Sequence, residues 1–265
     1  MTGIVETAGK TTEYICFGKG SRALVILPGL GLQRICRMEK SIEKAYQCFA
    51  EEYTVWVFDR INPMPRRYSI AQMADDAAEA MRALHITEAN LFGASLGGMI
   101  AQTLAVRHPG RVRSLILGST LARKNKQIAE MAQQWADCAD ARDGQALALM
   151  MLPKLYTAPV AKQLSTATEM MLAGVTDSDY ERFSAQARTI LAFDIFEELP
   201  QIRVPALVIG VEQDKVVTGE ASHEIAEKLG CACYMYGSEY AHCAFDEAPD
   251  YKQRMRTWLE STYTG

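Results

Sequence analysis

The chain has 265 residues, 49% of them apolar and 23% charged, which suits a single globular domain with room for an insertion and a core that needs no disulfide or metal staples. A net charge of -4 gives no field for holding nucleic acid or an anionic membrane, and no run approaches the ~18 apolar residues of a membrane span, so neither partner is expected. The opening MTGIVETAGK lacks a basic segment followed by an apolar stretch, and the seven cysteines are an odd number at scattered spacings that suits reduced thiols, so a cytoplasmic protein is expected.

Seven short runs rich in Val, Ile, Leu, Tyr and Phe read as strands in chain order: EYICF, ALVIL, TVWVF, NLFGA, SLILG, ALVIGV and CYMYG. Helical spacing separates most of them, as in Ile70, Met73, Ala74, Ala77, Met81 and Leu84, and again in Tyr251, Met255, Trp258 and Leu259 near the C-terminus. Nearly continuous apolar strands alternating with amphipathic helices predict an α/β fold, its mostly parallel sheet covered on both faces. The alternation stops after SLILGST and resumes at VPALVIG. Residues 121–199 carry only helical patterns, with breaks expected near Asp143-Gly144, Pro153, Pro159 and Gly174. A helical insertion at 121–199 in a core of 1–120 and 200–265 is the expected organisation. Met131, Met150, Met151, Met170 and Met171 lie in the insertion, where thioethers suit either a tolerant pocket or plain core filling.

Glycine motifs then compete. GIVETAGKTT brings Gly9-Lys10 one residue late for a phosphate loop, and no strand is expected before it, so that reading fails. ALVILPGLGLQR resembles a dinucleotide turn, with Asp59 ending a later strand, but Arg34 occupies the third glycine position and Asp59 comes late. In LFGASLGGMI, Ser95 sits between Gly93 and Gly97, the G-x-S-x-G pattern of a strained strand-to-helix turn that exposes a nucleophilic serine. Such a string arises by chance in roughly one chain of this kind in twenty, so its context decides.

A serine needs a base. His85 and His108 fall at helix ends and His223 in the helix-like GEASHEIAEKLG, whereas His242 follows the last strand on a loop at a carboxyl end, where α/β sites form. The base needs an acid to fix its tautomer. Ser119 and Thr120 after SLILG offer no carboxylate, while ALVIGVEQDKVV offers Glu212 and Asp214, and Asp214 completes the chain order Ser, Asp, His. The backbone N–H groups of Leu30 and Leu96 would supply the oxyanion hole, and Met99 and Cys243, adjoining these positions, are candidate pocket residues. Cys231 and Cys233 share a strand face without further ligands at metal spacing, so they read as small packing residues and no metal site is expected.

These segments resemble the α/β-hydrolase superfamily, in its esterase, lactonase and proline-iminopeptidase-like branch, over essentially the whole length. LPGLG matches the oxyanion loop, VFDR the end of the following strand, GASLGG the elbow, GVEQD the acid, YAHCAF the histidine, and the helical insertion the cap. The resemblance implies an α/β-hydrolase fold and a serine hydrolase that opens a small-molecule acyl substrate through an acyl-enzyme at Ser95, without metal or organic cofactor. Ester, enol-lactone, thioester and carbon–carbon substrates remain open, as do a non-catalytic binding protein and the dinucleotide oxidoreductase. Two departures stand out. Many relatives carry a histidine before the oxyanion-loop glycine where this chain has Pro28, so proline rigidity in place of a side chain is expected to hold the loop. The DRG that often follows the second strand is here Asp59-Arg60-Ile61, running into the proline- and arginine-rich NPMPRRY.

Overall fold

All seven expected strands form, and an eighth precedes them. The computed structural model describes residues 1–65 and 67–264 and builds one sheet from β1 (Thr2–Thr7), β2 (Lys10–Phe17), β3 (Arg22–Leu27), β4 (Tyr53–Asn62), β5 (Ala89–Ala94), β6 (Val112–Gly118), β7 (Ala206–Val211) and β8 (Ala232–Tyr236). Their order is β1-β2-β4-β3-β5-β6-β7-β8. The first two strands are antiparallel additions at one edge, and every other pairing is parallel. Arg66, in the proline-rich loop, lies outside the described residues.

The strand before Gly9-Lys10 corrects one ground for rejecting a phosphate loop, while the rejection itself stands on a better one. Ala8 and Gly9 both have positive φ, 48° and 77°, and Thr7 pairs with Lys10, so the chain doubles back through a two-residue hairpin. No helix N-terminus follows to receive a phosphate.

Alternate residues of the central strands feed two cores. Val25, Leu27, Leu91, Leu115, Leu117 and Val208 face one side, covered by α2 (Ile70–Ala83), α3 (Leu96–Arg107) and, further along the chain, Gly219–Leu229. Leu24, Ile26, Phe92, Ile116 and Ile209 face the other, covered by α1 (Glu39–Tyr46) and the C-terminal helix Tyr251–Thr264. The helical spacing read from the sequence is the buried stripe, since Ile70, Met73, Ala74, Ala77 and Met81 are all buried.

Between β6 and β7 the chain forms α4 (Lys126–Asp140), α5 (Gly144–Leu155), α6 (Ala158–Thr166), α7 (Thr168–Leu172) and α8 (Asp177–Thr189). Asp143 caps α5 through its side chain, as the expected break requires, and Pro159 falls in the first turn of α6, where its missing N–H is harmless. Pro153 differs from expectation, because α5 continues through it and ends two residues later. The insertion leaves and re-enters the core at one place: Lys124 N–H donates to Phe193 O at 3.1 Å and Ile195 N–H to Ala122 O at 2.8 Å. After β7 come α9 (Gly219–Leu229), α10 (Ala244–Glu247) and α11 (Tyr251–Thr264). Among the described residues no helix is long and apolar enough to cross a membrane.

Candidate active site

Ser95 occupies the one-residue junction between β5 and α3 with φ 53° and ψ -122°, a conformation that non-glycine residues rarely hold. The surroundings over-determine it. Its N–H donates to Gly118 O at 2.9 Å, and its carbonyl accepts from Gly98 N–H at 2.9 Å and from the Thr120 hydroxyl at 2.8 Å. The flanking glycines answer to close backbone contacts: a Cβ on Gly93 would lie 2.4 Å from Gly97 O, and one on Gly97 would lie 1.8 Å from Leu27 O. Strand and helix therefore meet backbone to backbone, and the turn between them has only one way to run.

The other candidates converge on the same edge of the sheet. Strand β7 ends at Val211, so Asp214 lies on the loop beyond it, and His242 lies on the loop beyond β8. His242 is 1% exposed, and its Nδ1 stands 2.8 Å from Asp214 Oδ2. Asp214 Oδ1 accepts from the N–H groups of Val216 at 2.7 Å and Val217 at 3.1 Å, so its carboxylate is anchored to its own loop. The ring's Nε2 is buried without any hydrogen-bond partner, Ser95 included. A nearby alternative is excluded by geometry: Glu212 is exposed and stands 3.3 Å from His223 on the surface. His108 meets Asp75 at 2.7 Å and His85 is exposed beyond α2, so neither approaches this edge.

The loop after β3 faces Ser95. An ideal Cβ on Gly29 would sit 3.3 Å from Ser95 Cβ, which puts Leu30 one residue from the serine's side of the turn. Leu96 is the first residue of α3, where N–H groups have no intrahelical acceptor and the helix dipole is positive. Met99 is 1% exposed in the core of α3, and Cys243 is 6% exposed. The Cys243 N–H donates to Leu155 O at 2.8 Å, tying the histidine loop to α5, and burial pushes its thiol well above the usual range. A cleft of about 650 Å³ opens between α5, α6 and the loops carrying Asp214 and His242, lined by Leu152, Tyr156, Ala161, Lys215, Tyr240 and Ala241 among others. Neither Met99 nor Cys243 lines it, nor do the five methionines of the insertion; Met131 is core, and Met170 is 75% exposed.

Contacts that the sequence does not announce hold this edge together. The Arg60 guanidinium donates to Pro28 O, so the oxyanion-loop candidate is held by a side chain after all, correcting the expectation of proline rigidity alone. Asp59 accepts from Ile35 N–H at 3.0 Å and pairs with Arg182 of α8 at 2.8 Å, both groups buried. Arg34, at the position that a dinucleotide turn would give to glycine, pairs with Asp179 of α8 at 3.0 Å. Burial works to raise the Asp179 carboxyl, but the Thr176 N–H, the Arg34 guanidinium and the Thr176 hydroxyl outweigh it and hold it below the usual range. None of these contacts follows a spacing rule. Thr120, Arg34, Asp59 and Arg60 were each in view for other reasons, whereas Thr176, Asp179 and Arg182 were not. Among the described residues no group of three His, Cys, Asp or Glu is arranged to hold a metal ion.

Known proteins share this fold. Relatives include a protein named carbamate hydrolase RutD from Stutzerimonas stutzeri, 26% identical over 68% of this chain and 71% of that one, and a protein named 3-oxoadipate enol-lactonase 2 from Acinetobacter baylyi, 27% identical over 78% and 77%. The chain spans 61% and 62% of the length of two further proteins that share the first name. The crystal structure of an enol-lactonase from Burkholderia xenovorans superposes with a TM-score of 0.84 at 24% identity, covering 97% of this chain and 100% of that one, a likeness of fold. Residues 22–249 match the family described as alpha/beta hydrolase fold, a span that takes in the loop after β3, the Ser95 turn and the Asp214 and His242 loops, and the chain belongs to that family.

Proposed function

We propose that this protein is a serine hydrolase that cleaves a small carboxylic ester through an acyl-enzyme at Ser95. The observation that carries the reading is the buried His242 ring, whose Nδ1 is committed to Asp214 while its Nε2 has no partner. A buried polar atom without a hydrogen bond is costly, and a proton-accepting task is a reason to keep it. In the reading, Nε2 takes the Ser95 hydroxyl proton as Oγ bonds to the acyl carbon. Asp214 fixes the tautomer and stabilises the imidazolium, and the Leu30 and Leu96 N–H groups receive the oxyanion. The imidazolium then gives its proton to the leaving alkoxide. Water, deprotonated by the same nitrogen, returns Ser95 and releases the acid. Catalytic hydrogen bonds often form only as substrate binds, so the Ser95 and His242 roles do not require one beforehand. The chemistry asks for no cofactor, and residues 121–199 act as a cap over the site.

A lactone reading has its own support in the relative named as an enol-lactonase, since a lactone is a cyclic ester and meets the same groups. The test of both is a fluorophosphonate probe with wild-type protein and Ser95→Ala, followed by hydrolysis of aryl esters of graded length, lactones, carbamates and aminoacyl arylamides. Labelling lost in the variant, with turnover highest on short esters, is the expected result. Labelling that survives Ser95→Ala removes the nucleophile assignment. Turnover of lactones at least tenfold above every linear ester moves the substrate class.

A further inference from the structure

We infer that Arg60 is the positioning residue of the oxyanion loop, aiming the Leu30 N–H by its hold on the Pro28 carbonyl. The inference rests on the serine-hydrolase reading above. It begins in the ladder between β2 and β4. Thr12 pairs with Ile61 and Tyr14 with Phe58, so Asp59 and Arg60 together oppose the single residue Glu13. Such a bulge bends its strand and re-aims side chains. Here it gives two neighbouring residues separate tasks: Asp59 reaches Arg182 on α8, and Arg60 reaches the carbonyl of Pro28.

That carbonyl is held from both sides. A Cβ on Gly97 would come within 2.6 Å of Pro28 O, so the first turn of α3 backs the loop while Arg60 grips it. A peptide unit is planar, and fixing the direction of the Pro28 C=O therefore fixes the Gly29 N–H that follows it. Only the two soft dihedrals of Gly29 then separate the gripped peptide from the Leu30 N–H. Glycine is the residue least able to hold a direction unaided. Without the grip, the donor that the reading assigns to Leu30 would wander.

The character of Arg60 argues against simple packing. It is 8% exposed, its Nε is buried with no partner, and burial pushes its guanidinium down to about 10 against the opposing pull of Asp59. A buried, incompletely paired cation is an expensive way to fill space, and an apolar residue of similar volume would serve better. Its retention is explained if the N–H reaching Pro28 does something that an apolar side chain cannot. The same contact answers the first departure from the family pattern, since Pro28 leaves the loop without a side-chain anchor of its own and Arg60 supplies one from the neighbouring strand.

The experiment compares wild type with Arg60→Met, Arg60→Gln and Arg60→Lys, using 4-nitrophenyl acetate and an acetyl-type trifluoromethyl ketone, which becomes an oxyanion on addition to serine. Losing an oxyanion donor outright lowers kcat by ~10²–10³, so a misaimed one in Arg60→Met should lower it by about ten- to hundredfold with KM within about threefold. Arg60→Lys and Arg60→Gln, which keep an N–H donor, should recover part of the loss. The ketone's inhibition constant should rise across the series in the same proportion as kcat/KM falls, a correlation that a general loosening of the fold does not produce. Should Arg60→Met fail to fold, the lysine and glutamine variants carry both readouts. Turnover within twofold of wild type in the folded variants overturns the inference, and so does a lost kcat without weaker ketone binding. Labelling that survives Ser95→Ala in the otherwise wild-type protein sinks the underlying reading instead, and the two failures are separate.

Discussion

A methyl group on Gly97 tests how the serine turn is built. Its Cβ would lie 1.8 Å from Leu27 O, 2.5 Å from Leu27 C and 2.6 Å from Pro28 O. Real Cβ contacts stay beyond 3.0 Å, so the first turn of α3 and the end of β3 must separate by about 1.2 Å. Both partners are backbone and cannot rotate aside, and ten of the twelve residues of α3 are buried, which leaves the helix little freedom to retreat. Overpacking typically costs 1–3 kcal/mol, and a contact between two main chains belongs at the top of that range, about 3 kcal/mol. For a chain of this size each kcal/mol moves the melting temperature by about 2–4 °C, so Gly97→Ala should melt about 6–12 °C lower. The same displacement parts the Leu96 and Leu30 amides around Ser95, and a misplacement near 1 Å costs about 10²-fold in rate, which fluorophosphonate labelling kinetics would read. Gly110→Ala is the control, since nothing lies within 4 Å of the added Cβ, and it should stay within about 0.5 kcal/mol of wild type. A Gly97→Ala protein that melts within 2 °C of wild type and labels at its rate would refute the backbone-contact account of the turn.

Asp214→Asn should lower kcat on the best ester by about 10⁴ with the fold kept, and Glu212→Gln by less than about threefold, because only Asp214 meets the histidine ring; the reverse ranking, measured on folded proteins, would move the acid. Arg182→Leu takes the ion-pair partner from the buried Asp59, so it should destabilise by about 3–5 kcal/mol in chemical denaturation, and adding Asp59→Asn should recover part of that; a double-variant loss equal to the sum of the two single losses would mean the pair is not coupled. The lowered Asp179 carboxyl carries a sign. Its stabilisation is full above the unfolded value near 3.9 and is lost as pH falls through the lower folded value, so wild type should lose melting temperature more steeply than Asp179→Asn below about pH 4, and parallel slopes would discount the contact.

Periodicity made the central sheet legible because parallel strands buried on both faces read as nearly continuous apolar runs, as in β5, where all six positions are buried and Asn90 alone is polar. The strand that escaped notice, β1, is an edge strand with Ile4 64% exposed and only Val5 and Thr7 buried, so its sequence shows neither a run nor a clean alternation. The same logic separates the candidate site into readable and unreadable parts. Ser95, Asp214 and His242 could be singled out because strand ends can be read and the roles proposed for them demand particular residue types. Thr120, Arg60 and Arg182 act through contacts between segments far apart in sequence, to a carbonyl or a carboxylate, and many side chains could reach such an acceptor from many places. Pro153 was read as a break because proline usually ends a helix, yet at this point α5 has only two more residues to run.

The neck of the insertion carries a consequence for how such proteins diversify. Because residues 122–124 and 193–195 are laced together by two backbone hydrogen bonds, the core sees about seventy intervening residues as a closed loop whose ends leave it at one place. Lengthening a loop whose ends stay joined adds only about 0.6 kcal/mol per doubling, so evolution or a designer can exchange everything distal to the neck without disturbing the register of β6 against β7. The constraint on any transplant is electrostatic. A donor segment must bring a cation where Arg182 meets Asp59 and a carboxylate where Asp179 meets Arg34, so any exchange keeps two charges of α8 as well as the neck.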